Sequence, residues 1–389
     1  MTAPCRSAAA GSWATAPAQG RAARSPASGS TTGSKDAAGR YGSATDFATV
    51  AAQIEDRGKG VGRIEWRANG ITAAVAPGPE GNGPVYILTR ELALDPGDNT
   101  VEVVAYNRSN LMAPLPARTI VKFTGPTDKT KPKLYILTVG VDTYVDEKFA
   151  PPLDLAENDA KNFAESMQTA AAALYDGVHV IPVLGSQVTR VNLERAISRI
   201  AGEIHPRDSF ILFAAGHGVS SKGRFYLIPH DYNSAATSLR DGAIGQDALQ
   251  EWLANRIRAR KALILLDTCQ SGALVAGHRR SRINGPASEA GVGRLHEATG
   301  RSVLTAAAAG QDAIEGVVGA DGKRHGVFTS AILDALRNGD ANGDGLIELS
   351  ELVAHVQNVV PKVAAELGDE QAARFGSRGE NFVVTRRLP

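Results

Sequence analysis

Apolar and polar positions follow two rhythms along this chain. Between about 60 and 125 they alternate with period two, in GRIEWRANG (62–70), PVYILTRELAL (84–94), NTVEVVAYNRSN (99–110) and ARTIVKF (117–123). β-Branched residues recur in these segments, and Asp95-Pro96-Gly97-Asp98 makes a turn between two of them, so they predict a small antiparallel β unit. Beyond residue 133 the rhythm changes to short, continuously apolar runs separated by stretches of helical period. LYILTVGVD (134–142), VHVIPVL (178–184), SFILFAAGHG (209–218), KALILLDTC (261–269) and SVLTAAAA (302–309) read as strands buried on both faces. LDLAENDAKNFAESMQ (153–168), VNLERAISRIAGEI (191–204), DALQEWLANRI (247–257) and GVFTSAILDALRN (326–338) read as helices. A short hairpin is expected near 224–229, and NFVVTRRL (381–388) is expected to add one more strand. The predicted fold class is α/β, a mainly parallel sheet flanked by helices and preceded by a small all-β, sandwich-like module.

The domain reading follows from the same pattern. Residues 1–45 are rich in Ala, Gly, Ser, Thr and Pro and are expected to form a tail without a core. The β module spans 58–125, the stretch 124–133 is a linker, and the α/β domain spans 133–388. Charge is nearly balanced, 42 Lys and Arg against 41 Asp and Glu, which leaves no basic footprint for nucleic acid. No run approaches the roughly 18 apolar residues of a membrane span, and no apolar leader core stands at the start, so the expected location is the cytoplasm. A different natural start would remove that last expectation. Two cysteines, Cys5 and Cys269, with no CxxC, make neither a disulfide framework nor a thiolate zinc cage. GKGVG (58–62) lacks dinucleotide-motif spacing, HExxH is absent, and the stretch Gly319–Arg324 lacks the P-loop pattern.

Chemistry concentrates at two strand ends. His217 lies between Gly216 and Gly218 just past one apolar run, and Asp267, Thr268 and Cys269 close the next long one. Sites in open α/β sheets lie outside the carboxyl ends of the strands. On neighbouring strands, His217 would raise the thiolate population of Cys269 and then protonate the leaving amine. The amides of Gly218 and Cys269 would be the oxyanion donors. Each residue alone has a plainer explanation, the cysteine as a small buried hydrophobe and the histidine as a satisfied polar group. Seven further histidines (179, 205, 230, 278, 296, 325, 355) show how little one histidine says. The pair says more: a single core cysteine with a histidine 52 residues upstream, both at strand ends.

AAGHG (214–218) and LLDTCQSG (265–272) resemble the histidine and cysteine motifs of the caspase and metacaspase superfamily, and specifically those of bacterial caspase-domain proteins. The resemblance covers about 133–388. It implies a caspase–hemoglobinase fold and a cysteine endopeptidase acting on protein or peptide substrates, with Cys269 as nucleophile, His217 as general base and acid, and no cofactor for catalysis. Animal caspases carry a glutamine two residues before the nucleophile. Asp267 stands there, as in metacaspases, whose pocket takes arginine or lysine. Asn158-Asp159-Ala160 matches the motif that holds the second pocket acid, while Ala215 replaces the usual metacaspase serine. Two carboxylates at a pocket base attract a guanidinium by charge-assisted bonds. The competing reading has Asp159 capping or pairing at a helix start and Asp267 holding a backbone amide. The alternative function is a catalytically silent caspase-like scaffold.

A second motif is independent of the first. DANGDGLIELSE (340–351) fits the EF-hand loop, with Asp340, Asn342 and Asp344 at positions 1, 3 and 5 and Gly345 at the turn. Leu346 supplies a carbonyl, and Glu348 and Glu351 fill positions 9 and 12, so Ca2+ is the expected ion. The competing reading is an Asx-rich turn between helices. Standing alone, the loop is expected to bind weakly and to brace its flanking helices. The basic stretch 275–294 reads as an exposed loop. If the pocket accepts basic residues, Arg279, Arg280 or Arg282 is the expected autoprocessing site.

Overall fold

The computed structural model describes residues 36, 39–56, 58–81, 83–109, 112–113, 116–126, 130–221, 224–269, 301–306, 313–319, 321–377 and 381–389. It falls into two units, Met1–Lys129 and Thr130–Pro389.

In the first unit, one sheet carries Tyr41–Ser43, Ala117–Phe123, Gly97–Asn107, Val61–Ala68 and Ile71–Ala76 in that order, and Phe47–Glu55 pairs with Val85–Ala93. Period-two alternation turns Ala48, Val50, Ala52 and Ile54 inward, into one core with Ile64, Trp66, Val101 and Val103 of the larger sheet. Asn69 and Gly70, at φ 51° and 82°, form the two-residue turn between Val61–Ala68 and Ile71–Ala76, the conformation that an Asn-Gly pair favours. Tyr41–Ser43 and Phe47–Glu55 precede residue 58, where the pattern places the start of the module. Alanines at buried positions 48 and 52 make that alternation faint.

In the second unit, five parallel strands stand in the order Val178–Leu184, Leu134–Gly140, Ser209–Ser221, Lys261–Cys269 and Ser302–Thr305. Arg374–Gly376 joins the last of them antiparallel. Arg224–Leu227 and Ile244–Gly245 extend the sheet from the far end of Ser209–Ser221. Both faces of the central strands are covered, which is why they are continuously apolar, whereas the edge strand Val178–Leu184 is only half-buried and exposes His179 and Pro182. Phe210, Leu212 and Ala214 enter a core with Leu193, Ile197 and Ile200 of the helix Arg190–Glu203. Ile211, Phe213 and Ala215 enter another with Ala160, Phe163 and Met167 of the helix Ala156–Ala171, and with the helices Val327–Asn338 and Leu349–Glu366. The order of strands reverses between Leu134–Gly140 and Ser209–Ser221, the kind of switch point at whose carboxyl ends open α/β sheets bind their ligands.

Two elements depart from the sequence pattern. The helix expected over 247–257 is α-helical only at Gln246–Gln250 and widens to a π turn over Glu251–Arg256. Buried Arg301 takes up the carbonyls there, donating to those of Leu253 and Ile257 at 3.1 and 3.0 Å and also to Ala259 and Arg260. Burial, and then the Arg260 charge, bring its pKa down to about 10. The final strand, Val383–Arg386, pairs with Leu346–Glu348 and not with the central sheet. Among the described residues, no helix is long and apolar enough to cross a membrane.

Candidate active site

Nine consecutive residues of Ser209–Ser221 pair in parallel register with Lys261–Cys269, from Ser209 opposite Lys261 to His217 opposite Cys269. Strands in a sheet lie about 4.8 Å apart, so the backbone sets these two residues side by side at the carboxyl end of the sheet.

The strand is irregular where it delivers His217. Gly216 has φ 149°, and a Cβ there would stand 2.9 Å from the Tyr144 hydroxyl, so glycine is required twice over. That hydroxyl accepts the His217 N–H at 2.9 Å and donates to the Val141 carbonyl at 3.1 Å, and its ring lies 5.0 Å from the imidazole. His217 Nε2 lies 2.7 Å from the Pro151 carbonyl. A carbonyl only accepts, so the proton sits on Nε2 and Nδ1 is the basic nitrogen. The segment carrying Tyr144 and Pro151 is itself tied down. Val145 N–H donates to the His230 carbonyl at 2.9 Å, and His230 Nδ1 donates to the Thr143 carbonyl at 2.7 Å. Gly218 is needed for packing, because a Cβ there would meet Thr268 Oγ1 at 2.8 Å and the Phe225 ring at 2.9 Å.

Asp159 and Asp267 come together around the start of the helix Val327–Asn338, with Asp267 two residues before Cys269 on its strand. A Cβ on Gly326, the residue before that helix, would lie 3.3 Å from Asp159 Oδ2 and 3.2 Å from Asp267 Oδ2. Asp159 Oδ2 accepts the Gly326 N–H at 2.9 Å, and its Oδ1 accepts from His325 Nδ1 at 2.6 Å. Asp267 Oδ2 accepts the Thr329 hydroxyl at 2.5 Å, and the Thr329 amide also bonds this carboxyl. These are amide-holding contacts of the kind the competing reading expects, made to a helix other than the one that carries Asp159.

Burial, and then the Asp159 charge, push the Asp267 carboxyl up to about 7. Burial also raises Asp159, with its bonds to His325 and Gly326 pulling the other way. Glu315 is raised by burial and by Asp142, Asp159 and Asp154, and Asp142 by burial and the Glu157 charge. Carboxyls therefore crowd this end of the sheet, and each makes ionisation of the others harder.

The loop 340–351 is closed on its own amides. Asp340 accepts from Gly343 and Gly345 at 2.7 and 3.0 Å, Asn342 from Asp344 at 2.9 Å, and Asp344 from Leu346 at 2.8 Å. Glu351 accepts from Ala341 and Asn342 at 3.1 and 3.3 Å and from Glu348 at 3.0 Å, while Glu348 itself takes Asn381 Nδ2 at 2.6 Å. Among the described residues, no three His, Cys, Asp or Glu side chains converge as a metal cluster. Arg279, Arg280 and Arg282 lie outside the described residues.

Sequence reasoning missed Pro151, Tyr144, Thr329 and His325. Pro151 contributes through its backbone carbonyl, which no side-chain pattern reveals. His325 is one of eight histidines, and its partner Asp159 stands 166 residues away.

A family model described as the caspase domain matches residues 134–378. Among solved structures, a Geobacter sulfurreducens protein is 19% identical at a TM-score of 0.41, with 64% of this chain and 94% of that chain covered. The fibronectin(III)-like modules of Clostridium thermocellum CbhA are 12% identical at a TM-score of 0.18, with 26% of this chain and 96% of that chain covered. No curated protein matches this chain. The resemblance read from AAGHG and LLDTCQSG is borne out by a family match over well more than half of the sequence, and the chain belongs to the caspase-domain family of cysteine peptidases.

Proposed function

We propose that this protein is an active cysteine endopeptidase with Cys269 as nucleophile and His217 as base, and that it cleaves after arginine or lysine. The observation that carries the dyad is the register that pairs His217 with Cys269 at the open end of the central strands. His217 Nδ1 takes the thiol proton, and the thiolate adds to the scissile carbonyl. The amides of Gly218 and Cys269 are the candidate donors to the resulting oxyanion. Collapse to the thioester expels the amine, which receives the proton from Nδ1, and water then releases the acid and restores the thiol. The Pro151 carbonyl holds the tautomer and supports the charge on the ring during both transfers.

The basic preference rests on Asp159 and Asp267, two buried carboxyls that share one site and repel one another. A guanidinium or ammonium would relieve that repulsion, whereas an acidic side chain would add to it. The test is cleavage of fluorogenic peptides ending in Arg, Lys, Asp or Ala by wild type and Cys269→Ala. Hydrolysis after Arg or Lys that disappears in the variant is expected. Cleavage after Asp would overturn the pocket, and silence from folded protein would favour the scaffold alternative.

We also propose that the loop 340–351 takes Ca2+, with Asp340, Asn342, Asp344, the Leu346 carbonyl, Glu348 and Glu351 as its oxygen donors. An all-oxygen set suits a hard cation. Ile347 pairs with Thr385 of the final strand, as a second loop would pair in a conventional EF-hand couple. Calorimetric titration with Ca2+ should show binding that Asp340→Ala abolishes, and no heat in wild type would remove the ion.

A further inference from the structure

His325 sits between two carboxylates. Its Nδ1 is 2.6 Å from Asp159 Oδ1, and its Nε2 is 3.0 and 3.1 Å from Asp321 Oδ2 and Oδ1. A neutral imidazole owns one N–H and would turn a lone pair toward one of these anions, so only the imidazolium has a donor for each. The ring is fully buried, on a hairpin made by Glu315–Val318 and Arg324–Gly326. Burial works against its charge, but the bonds to Asp159 and Asp321 outweigh it and hold the group above its ordinary value.

The groups around His325 leave it as the cation on Asp159. Asp159 faces it from the helix Ala156–Ala171, and Asp321 from the hairpin tip. Lys323, on the same tip, is engaged elsewhere, 2.6 Å from Asn162 Oδ1 and 4.0 Å from Glu165. Glu315 on the first hairpin strand acts on Asp159 as a further negative charge. Asp267 lies beyond Gly326, on the strand that ends at Cys269.

We propose that His325 is a positioning residue for substrate specificity: as an imidazolium it fixes Asp159 in place and in its ionised form, so that the acidic pocket presents a permanent anion to the basic side chain of the substrate. This rests on the pocket reading given above. It assigns the paired acids different states, because two adjoining buried carboxyls do not both ionise freely and the one beside the cation ionises first. Asp159 is the standing anion, and Asp267, the later of the two to ionise, holds its proton below about pH 7 and gives it up more readily beside a substrate cation. Without His325, burial would let Asp159 take a proton too, and the pocket would lose its charge.

The test compares full-length wild type, His325→Gln and Asp321→Asn on Arg and Lys peptides between pH 5 and 9, with NMR titration of the histidine rings. In His325→Gln, KM for Arg substrates should rise ~10- to 100-fold with kcat changing far less, the scale of one lost charge-assisted bond. The acid limb of kcat/KM should move to higher pH, because Asp159 is then protonated over a wider range. Asp321→Asn alters only the hairpin tip, so it carries the test should the buried variant misfold. Its His325 titration should move to lower pH, with a smaller change in KM of the same sign.

Unchanged KM and pH profile in both variants, with only a loss of thermal stability, would reduce His325 to a structural staple and overturn the inference. So would a wild-type His325 that titrates at or below the ordinary imidazole value in an enzyme that does cut after Arg. Wild type that never cuts after Arg or Lys would overturn the pocket reading and this inference together, and the ring titration tells these failures apart.

Discussion

Replacing Asp267 by asparagine should stabilise the protein at neutral and alkaline pH. The carboxyl is buried against Asp159, and its pKa stands at about 7 in the fold against 3.8 for an exposed aspartate. Between those values the native state keeps a proton that the unfolded chain has released. Stability therefore falls as pH rises from about 4 to about 7 and levels off above, the reverse of a salt-bridged carboxylate. The full displacement corresponds to about 4 kcal/mol as a ceiling, and relaxation around the charge would leave about 2 kcal/mol. Asparagine keeps an oxygen for the Thr329 hydroxyl and has no proton to lose. Urea unfolding of Asp267→Asn at pH 4.5, 6 and 8, in a Cys269→Ala background to prevent self-cleavage, measures the effect. The curves are fitted for two transitions because the chain has two units. The difference from the Cys269→Ala parent should be small at pH 4.5 and grow to pH 8. Asp142, Asp159 and Glu315 are raised as well, so the parent alone does not isolate Asp267 but the difference does. A variant no more stable than its parent at pH 8 would refute the assignment of a costly buried charge to this position.

Three other outcomes follow from the geometry. Tyr144→Phe removes the acceptor of the His217 N–H, and kcat/KM should fall ~3- to 10-fold, as expected for one neutral hydrogen bond that orients a base; an unchanged rate would take Tyr144 out of the site. Gly216→Ala combines a strained φ with contact on the Tyr144 hydroxyl and should cost about 1–3 kcal/mol in denaturant unfolding, with activity lost alongside. Arg301→Met leaves the carbonyls of Leu253, Ile257, Ala259 and Arg260 without their donor, so a loss of about 3 kcal/mol or more in thermal unfolding is expected, whereas a near-neutral result would mean that the π turn re-forms as α-helix.

The central strands were legible because burial on both faces leaves a continuous apolar run, and LYILTVG, SFILFAAGHG and KALILLDTC are such runs. Their order was not read from the sequence, which took the neighbouring of the His217 and Cys269 strands as a condition, since nothing local in a strand names its neighbour. The hairpin carrying His325 was not foreseen: Glu315–Val318 and Arg324–Gly326 are short, and Arg324 and His325 give no alternating signal. The final strand was visible as a strand, but its partner was not, because Leu346–Glu348 reads first as part of a cation loop. In the candidate site, His217 and Cys269 stood out by residue type. The groups that touch His217 and Asp159 did not, being a carbonyl, a tyrosine hydroxyl and a histidine whose partners are set by tertiary contact.

The register between Ser209–Ser221 and Lys261–Cys269 also determines which kinds of genetic change this protein can absorb. Nine pairs count out from Ser209 and Lys261 to His217 and Cys269, and each buried position along the way accepts another apolar residue of similar size at modest cost. Inserting or deleting one residue inside either strand is different in kind. It moves the cysteine along the edge of its neighbour and turns every side chain beyond the change to the opposite face. Substitution libraries across 209–215 and 261–266 should therefore stay rich in active members, while single-residue length variants of the same stretches should be uniformly silent. Length variation between the strands is subject to no such count.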